Sequence, residues 1–122
     1  MKTNFEDLRV YKLAEALADE IWPIVAIWDY LAKATLGKQL INAADSVGAN
    51  IAEGSGRGSP QDNKRFPYIA RGSLYETKHW LRRAYKRNLL TTEQSQRLRE
   101  IMDELLPMLN AYIRSVKDAV DR

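Results

Sequence analysis

Four stretches of this sequence repeat their apolar residues with the period of an α-helix, and each is separated from the next by a short break. The first runs from about Asp7 to Trp28, with Val10, Leu13, Leu17, Ile21, Ile24 and Trp28 on one stripe. The second, from about Ala34 to Glu53, carries Leu36, Leu40, Ala44, Val47 and Ile51. The third, from about Ser59 to Arg87, carries Phe66, Ile69, Ser73, Thr77, Trp80, Leu81 and Ala84. The fourth, from about Thr92 to Ala119, carries Leu98, Met102, Leu105, Leu109, Tyr112, Val116 and Val120. No segment alternates with period two over a useful length, so the chain is expected to be all-α. Breaks this short make consecutive helices antiparallel neighbours, which predicts an up-down-up-down four-helix bundle. At 122 residues, one such domain spans residues 1–122.

The punctuation agrees with those limits. Ser59 precedes Pro60 as a capping hydroxyl before a first-turn proline, and Asp62 follows within that turn. Thr91 and Gln94 have the spacing of a capping box opening the last helix. Gly54-Ser55-Gly56-Arg57-Gly58 interrupts the pattern between the second and third helices. Pro23, Pro67 and Pro107 fall inside helical patterns, where each removes a backbone hydrogen bond and predicts a bend. Pro67 also fits a late restart of the third helix.

Charge separates the third helix from the rest. Between Arg57 and Arg87 nine basic residues face only Asp62 and Glu76, so that segment carries +7 of a chain whose net charge is +3, and the remainder carries −4. A basic block on an otherwise slightly acidic chain suits an anionic partner, either nucleic acid or an acidic protein surface. At 100° per residue, Lys64, Arg71, Lys78, Arg82 and Lys86 fall within about 40° of one line, with Tyr68 and Tyr75 on the same stripe. Cations along a ridge can follow phosphates, while tyrosines can stack on unpaired bases. Such a face can equally be solvated, or pack on a neighbouring subunit through its tyrosines. Arg57, in the glycine-rich loop, is a further candidate backbone contact.

Chemistry other than binding finds little to work with. There is no cysteine, hence no disulfide and no thiolate ligand or nucleophile. The single histidine, His79, has no second ligand at metal spacing, and no nucleophile elbow or phosphate-loop signature is present. The Gly54–Gly58 loop before a helix start superficially resembles a phosphate cradle, but no strand precedes it and no Gly-Lys-Ser/Thr follows. Neither an enzyme nor a metal or cofactor is expected. No apolar run approaches the roughly 20 residues needed to cross a bilayer. The polar start Met1–Asp7 does not read as a secretory signal, so a cytoplasmic protein without membrane contact is expected.

The second helix is rich in small and polar residues from Asn42 to Gly54, which lets another helix approach closely. Asn50 and Glu53 sit at the edge of its apolar stripe, where burial would demand partners. Asp45 or Glu53 is expected to meet a cation of another helix or another subunit.

Three blocks carry a resemblance to a known family: Phe5-Glu6-Asp7-Leu8-Arg9-Val10-Tyr11, Ala44-Asp45-Ser46-Val47-Gly48-Ala49-Asn50-Ile51-Ala52-Glu53-Gly54, and Ala70-Arg71-Gly72-Ser73-Leu74-Tyr75-Glu76-Thr77. They resemble the four-helix bundle proteins encoded in intervening sequences of bacterial large-subunit ribosomal RNA genes. That resemblance implies a bundle assembling as a homopentameric barrel with a central opening. It is similar, too, to the accessory protein of diversity-generating retroelements, a basic pentamer that partners a reverse transcriptase and nucleic acid. No enzymatic activity attaches to the family. The resemblance also puts Arg71 and Tyr75 inside a family motif, where they can serve packing as well as RNA.

Overall fold

The computed structural model describes residues 4–122; Met1–Thr3, part of the polar start read above, lie outside the described residues. Every regular element among the described residues is helical. A 3₁₀ turn at Phe5–Asp7, capped by Asn4 Oδ1 accepting from the Glu6 amide, leads into α1, Arg9–Ala26. A short corner follows, and α2 (Tyr30–Ala32), a π-helical turn (Lys33–Gly37) and α3 (Lys38–Ser55) then run on without a break. One helical turn, α4 (Pro60–Asn63), precedes α5 (Phe66–Lys86), and α6 (Thr92–Val120) closes the chain. The four long arms share one core.

The caps explain where the arms begin. Asp29 Oδ1 accepts from the Ala32 amide at 2.9 Å, so the second arm starts at Tyr30 rather than near residue 34. Ser59 caps α4 with Pro60 as its first residue. The third arm is interrupted at Lys64–Arg65 and restarts at Phe66, which puts Pro67 in the first turn of α5, where its missing N–H has no intrahelical acceptor to lose. Pro23 and Pro107, in contrast, lie inside continuous helices. Thr91 and Gln94 form the reciprocal capping box that opens α6.

The core is aliphatic, with Leu17, Leu40, Ile51, Leu98, Leu105 and Leu109 fully buried, each worth about 1.5–3 kcal/mol of transfer free energy. The second stripe is buried as expected at Leu36, Leu40, Ala44, Val47 and Ile51. On α5 the register is corrected: the inward line is Phe66, Ala70, Leu74, Thr77, Leu81 and Ala84, while Ile69 is exposed and Ser73 and Trp80 are half-buried. Small residues set this register. A Cβ on Gly54 would lie 2.6 Å from Phe66 Cβ, and one on Gly37 would lie 2.7 Å from Val25 Cγ1, so both glycines are sites of close approach that a side chain would block. Polar ties add to the packing: Ser73 Oγ donates to Ser46 Oγ at 3.0 Å, and Trp28 Nε1 donates to the Leu89 carbonyl at 3.0 Å.

Candidate nucleic-acid interface

Helix α5 turns a cationic ridge outward because its small and apolar residues are drawn inward. Lys78, Arg82 and Lys86 are exposed and four residues apart, so they rise about 6 Å per step along one side of the helix. Among the described residues, the ion pairs within 4.0 Å are Arg57–Glu53 and Arg97–Glu20, so none of these three is in a direct ion pair. Tyr68 and Tyr75 are exposed beside them, Tyr75 at 53%.

Two members of the expected stripe behave differently. Lys64 is exposed but lies in the turn between α4 and α5, off the α5 helix. Arg71 is half-buried; its Nη1 donates to Asn110 Oδ1 at 3.0 Å, and its guanidinium lies 5.1 Å from the centre of the Tyr68 ring. It therefore ties α5 to α6, a packing role, and one face of Tyr68 is covered by it.

Packing of α5 on α6 adds residues that no single-helix pattern joins. A groove of about 350 Å³ runs between them, floored by Leu81, Leu90 and Leu98 and rimmed by Arg82, Lys86 and Arg99. Tyr85, 48% exposed, stands in its wall. A smaller depression of about 130 Å³, walled by Tyr75, adjoins it, and Lys78, Met102 and Asp103 line both. Tyr85 and Arg99 were not legible as partners, since the first lies off the stripe and the second sits on another helix. Asp103 is the one carboxylate lining the groove.

Arg57 is engaged locally. It donates to Glu53 Oε1 at 3.1 Å, one turn back, and lies 4.8 Å from the centre of the Phe66 ring, with Arg65 at 5.6 Å from the same ring. The Gly54–Pro60 loop borders a cavity of about 740 Å³ with Tyr112 and Val116 across from it. Asn63 Nδ2 donates to Tyr112 Oη there at 3.3 Å, while Asn63 Oδ1 is buried against Gly54 without a hydrogen-bond donor. A single helical turn after the loop gives an anion little to bind, so no phosphate cradle is assigned.

Within one chain, the polar residues of α3 meet no cation of another helix among the described residues. Glu53 meets Arg57 of its own helix end, not a cation of another arm. Asp45 is exposed and has no cation within 4.0 Å among the described residues. Partial burial, with the charge of Asp19 adding to it, pushes the Asp45 carboxyl above its ordinary value of 3.8. Asn50 Nδ2 donates to the Ser46 carbonyl and hydroxyl, one turn back. Asp19, Asp45 and Glu15 border a groove of about 340 Å³ between α1 and α3, floored by Ala14, Ala44 and Gly48.

Four exposed apolar side chains escaped the sequence reading altogether. Trp22, Ile27, Tyr30 and Leu31, around the corner between α1 and α2, are 60%, 82%, 86% and 72% exposed. Apolar residues read from periodicity are assigned to a core, so outward ones give no separate signal. His79 packs edge-on to Trp80 at 4.7 Å between ring centres, and no group of three potential metal ligands occurs among the described residues. Nor is any described helix long and apolar enough to cross a membrane.

Comparison with known proteins agrees with this architecture. A family model described as 23S rRNA-intervening sequence protein matches residues 6–111. The crystal structure of a protein of unknown function from the S23 ribosomal protein family of Bacteroides thetaiotaomicron is similar in fold, with a TM-score of 0.66 and 24% sequence identity over 84% of this chain and 98% of that one. No curated protein matches.

Proposed function

Since the chain belongs to the 23S rRNA-intervening sequence protein family, we propose that it is a non-enzymatic, homo-oligomeric protein that binds RNA or DNA through the cationic ridge of α5. The observation that carries this reading is the row Lys78, Arg82, Lys86, exposed and without a carboxylate within 4.0 Å among the described residues. Unpaired cations at even spacing gain most from phosphates, by releasing the counterions condensed on them. Contacts of this kind position a ligand without reading its sequence. In this reading Lys64 extends the ridge across the turn before α5, and Arg57 and Arg71 support it from their packed positions.

The bundle is up-down-up-down and antiparallel in the same reading. Gly54 against Phe66, together with Ser46 against Ser73, supports opposite directions for α3 and α5. Trp22, Ile27, Tyr30 and Leu31 support self-assembly, for which a pentamer is the family expectation: large apolar side chains this exposed are unfavourable in water unless a second copy covers them.

A second reading rests on the carboxylates of the α1–α3 groove. They complement the ridge in charge, so one copy's α5 could dock on the next copy's Asp19 and Asp45, leaving nucleic acid no role. Anisotropy of a labelled, structured ribosomal RNA fragment, titrated at several salt concentrations, separates the two. The first reading expects a steep log–log salt slope that falls by roughly 1 for each ridge cation removed, with the oligomer intact by light scattering. Dissociation of the oligomer on Lys78→Ala with Arg82→Ala, or no binding even at low salt, would support the second.

A further inference from the structure

Resting on the nucleic-acid reading above, we infer that the α5–α6 groove takes a single-stranded segment, its phosphates along Lys78, Arg82 and Lys86 and its bases turned inward onto Tyr75 and Tyr85. The ridge alone favours no strand form; the groove beside it does. Its floor of Leu81, Leu90 and Leu98 is apolar and suits the faces of bases, not phosphates. Asp103 reinforces that orientation, because a carboxylate repels phosphate and accepts from exocyclic amines of bases.

The two rings stand at opposite ends of this site. Tyr75 borders the smaller depression and Tyr85 the larger, and Lys78 lines both. Ten residues of α-helix separate the two tyrosine positions by about 15 Å along the axis, a span of roughly four nucleotides at the stacked rise. Each ring is about half exposed and so retains surface for a base to stack on. Tyr68 is a weaker platform, since Arg71 covers one of its faces. Arg99 closes the far rim from α6, so the backbone can be held from both sides of the groove. A duplex presents phosphates outward and keeps its base faces stacked internally, so it can engage the ridge but cannot fill the groove.

The two modes differ in sign. Binding by phosphate charge alone favours duplex, whose charge density exceeds that of one strand. Stacking in the groove favours the single strand.

The test is fluorescence anisotropy of a labelled 12-nucleotide RNA of mixed sequence, alone and annealed to its complement, at one salt concentration, with the corresponding DNA strand as a further arm. The expected result is a single strand bound at least tenfold more tightly than the duplex. Tyr75→Ala with Tyr85→Ala should erase that preference and leave duplex binding unchanged, while the two Tyr→Phe changes retain it. Circular dichroism melting of the variants checks that the fold persists. Equal or tighter binding of duplex, or single-strand binding indifferent to both tyrosines yet lost with Lys78→Ala and Arg82→Ala, would overturn the inference and leave the nucleic-acid reading standing. Absence of binding to every strand form at low salt would sink both. Tighter binding of the RNA strand than the DNA strand would assign the site to RNA, and the reverse to DNA.

Discussion

Trp28 Nε1 donates to the Leu89 carbonyl across 61 residues, linking the end of the first arm to the turn that follows α5. The same turn carries Asn88 at φ 59°, and the Leu89 amide donates to the Ala84 carbonyl. One indole therefore anchors a left-handed reversal that α5 needs in order to hand over to α6. Trp28→Phe keeps most of the apolar volume and removes the donor. It should lower stability by about 1 kcal/mol, with faster hydrogen exchange at Leu89, both measurable on the purified protein.

Gly54→Ala should destabilise the fold although alanine is the better helix former. The added carbon would sit 2.6 Å from Phe66 Cβ and overlap the Asn63 side chain. Overpacking costs about 1–3 kcal/mol, against a propensity gain of about 0.5–1 kcal/mol. A denaturant midpoint equal to or above that of the parent would contradict the close approach.

Arg71 and Lys78 share a stripe but should fail differently. Arg71→Ala removes the bond to Asn110 and the cover over Tyr68, and should reduce stability by about 1 kcal/mol. Lys78→Ala touches only the exposed ridge; its stability change should stay within about 0.5 kcal/mol, while the salt slope of RNA binding falls by roughly 1. Paired melts and titrations read both effects.

Asp45 gives a pH dependence of unusual sign for a carboxylate. Its folded-state value is raised, so the folded protein binds the proton more tightly than the unfolded chain does. Its contribution to stability therefore declines as pH rises from the ordinary value of 3.8 through the raised one, and stays unfavourable at neutral pH. Asp45→Asn should raise Tm at pH 7. That advantage should shrink as the pH falls below the raised value. A mutant less stable at pH 7 would point to a cation held by Asp45, such as one from a second copy.

Much of the fold is written in the apolar period. Leu40, Ala44, Val47 and Ile51 recur at helical spacing and are buried. The period is less informative where a small residue outweighs a large one. Ile69 invites burial by its chemistry, yet Ala70 takes the inward position because it allows closer approach, and Phe66 fixes the phase after the break at Lys64–Arg65. For the candidate interface, Lys78, Arg82 and Lys86 could be aligned on one helix face from the sequence. The groove could not, because Arg99 joins them only through the packing of α6 on α5. Arg71 looked like another ridge cation because sequence spacing carries no information about Asn110, which lies 39 residues away.

The π turn at Lys33–Gly37 acts as a rotary offset. Lys33 precedes Leu40 by seven residues, which is two α-turns, so an uninterrupted helix would aim its ammonium at the face that Leu40, Ala44, Val47 and Ile51 bury. The amide of Lys38 instead reaches back five residues to the Lys33 carbonyl, and the extra residue turns everything before it by about 100°. Ala32 packs against the core in consequence, and Lys33 is exposed. Deleting one residue within the turn would remove the bulge and leave a plain α-helix. Lys33 would still lie about 120° off the face that Leu40 buries, so Tyr30 and Leu31 would keep their side of the bundle.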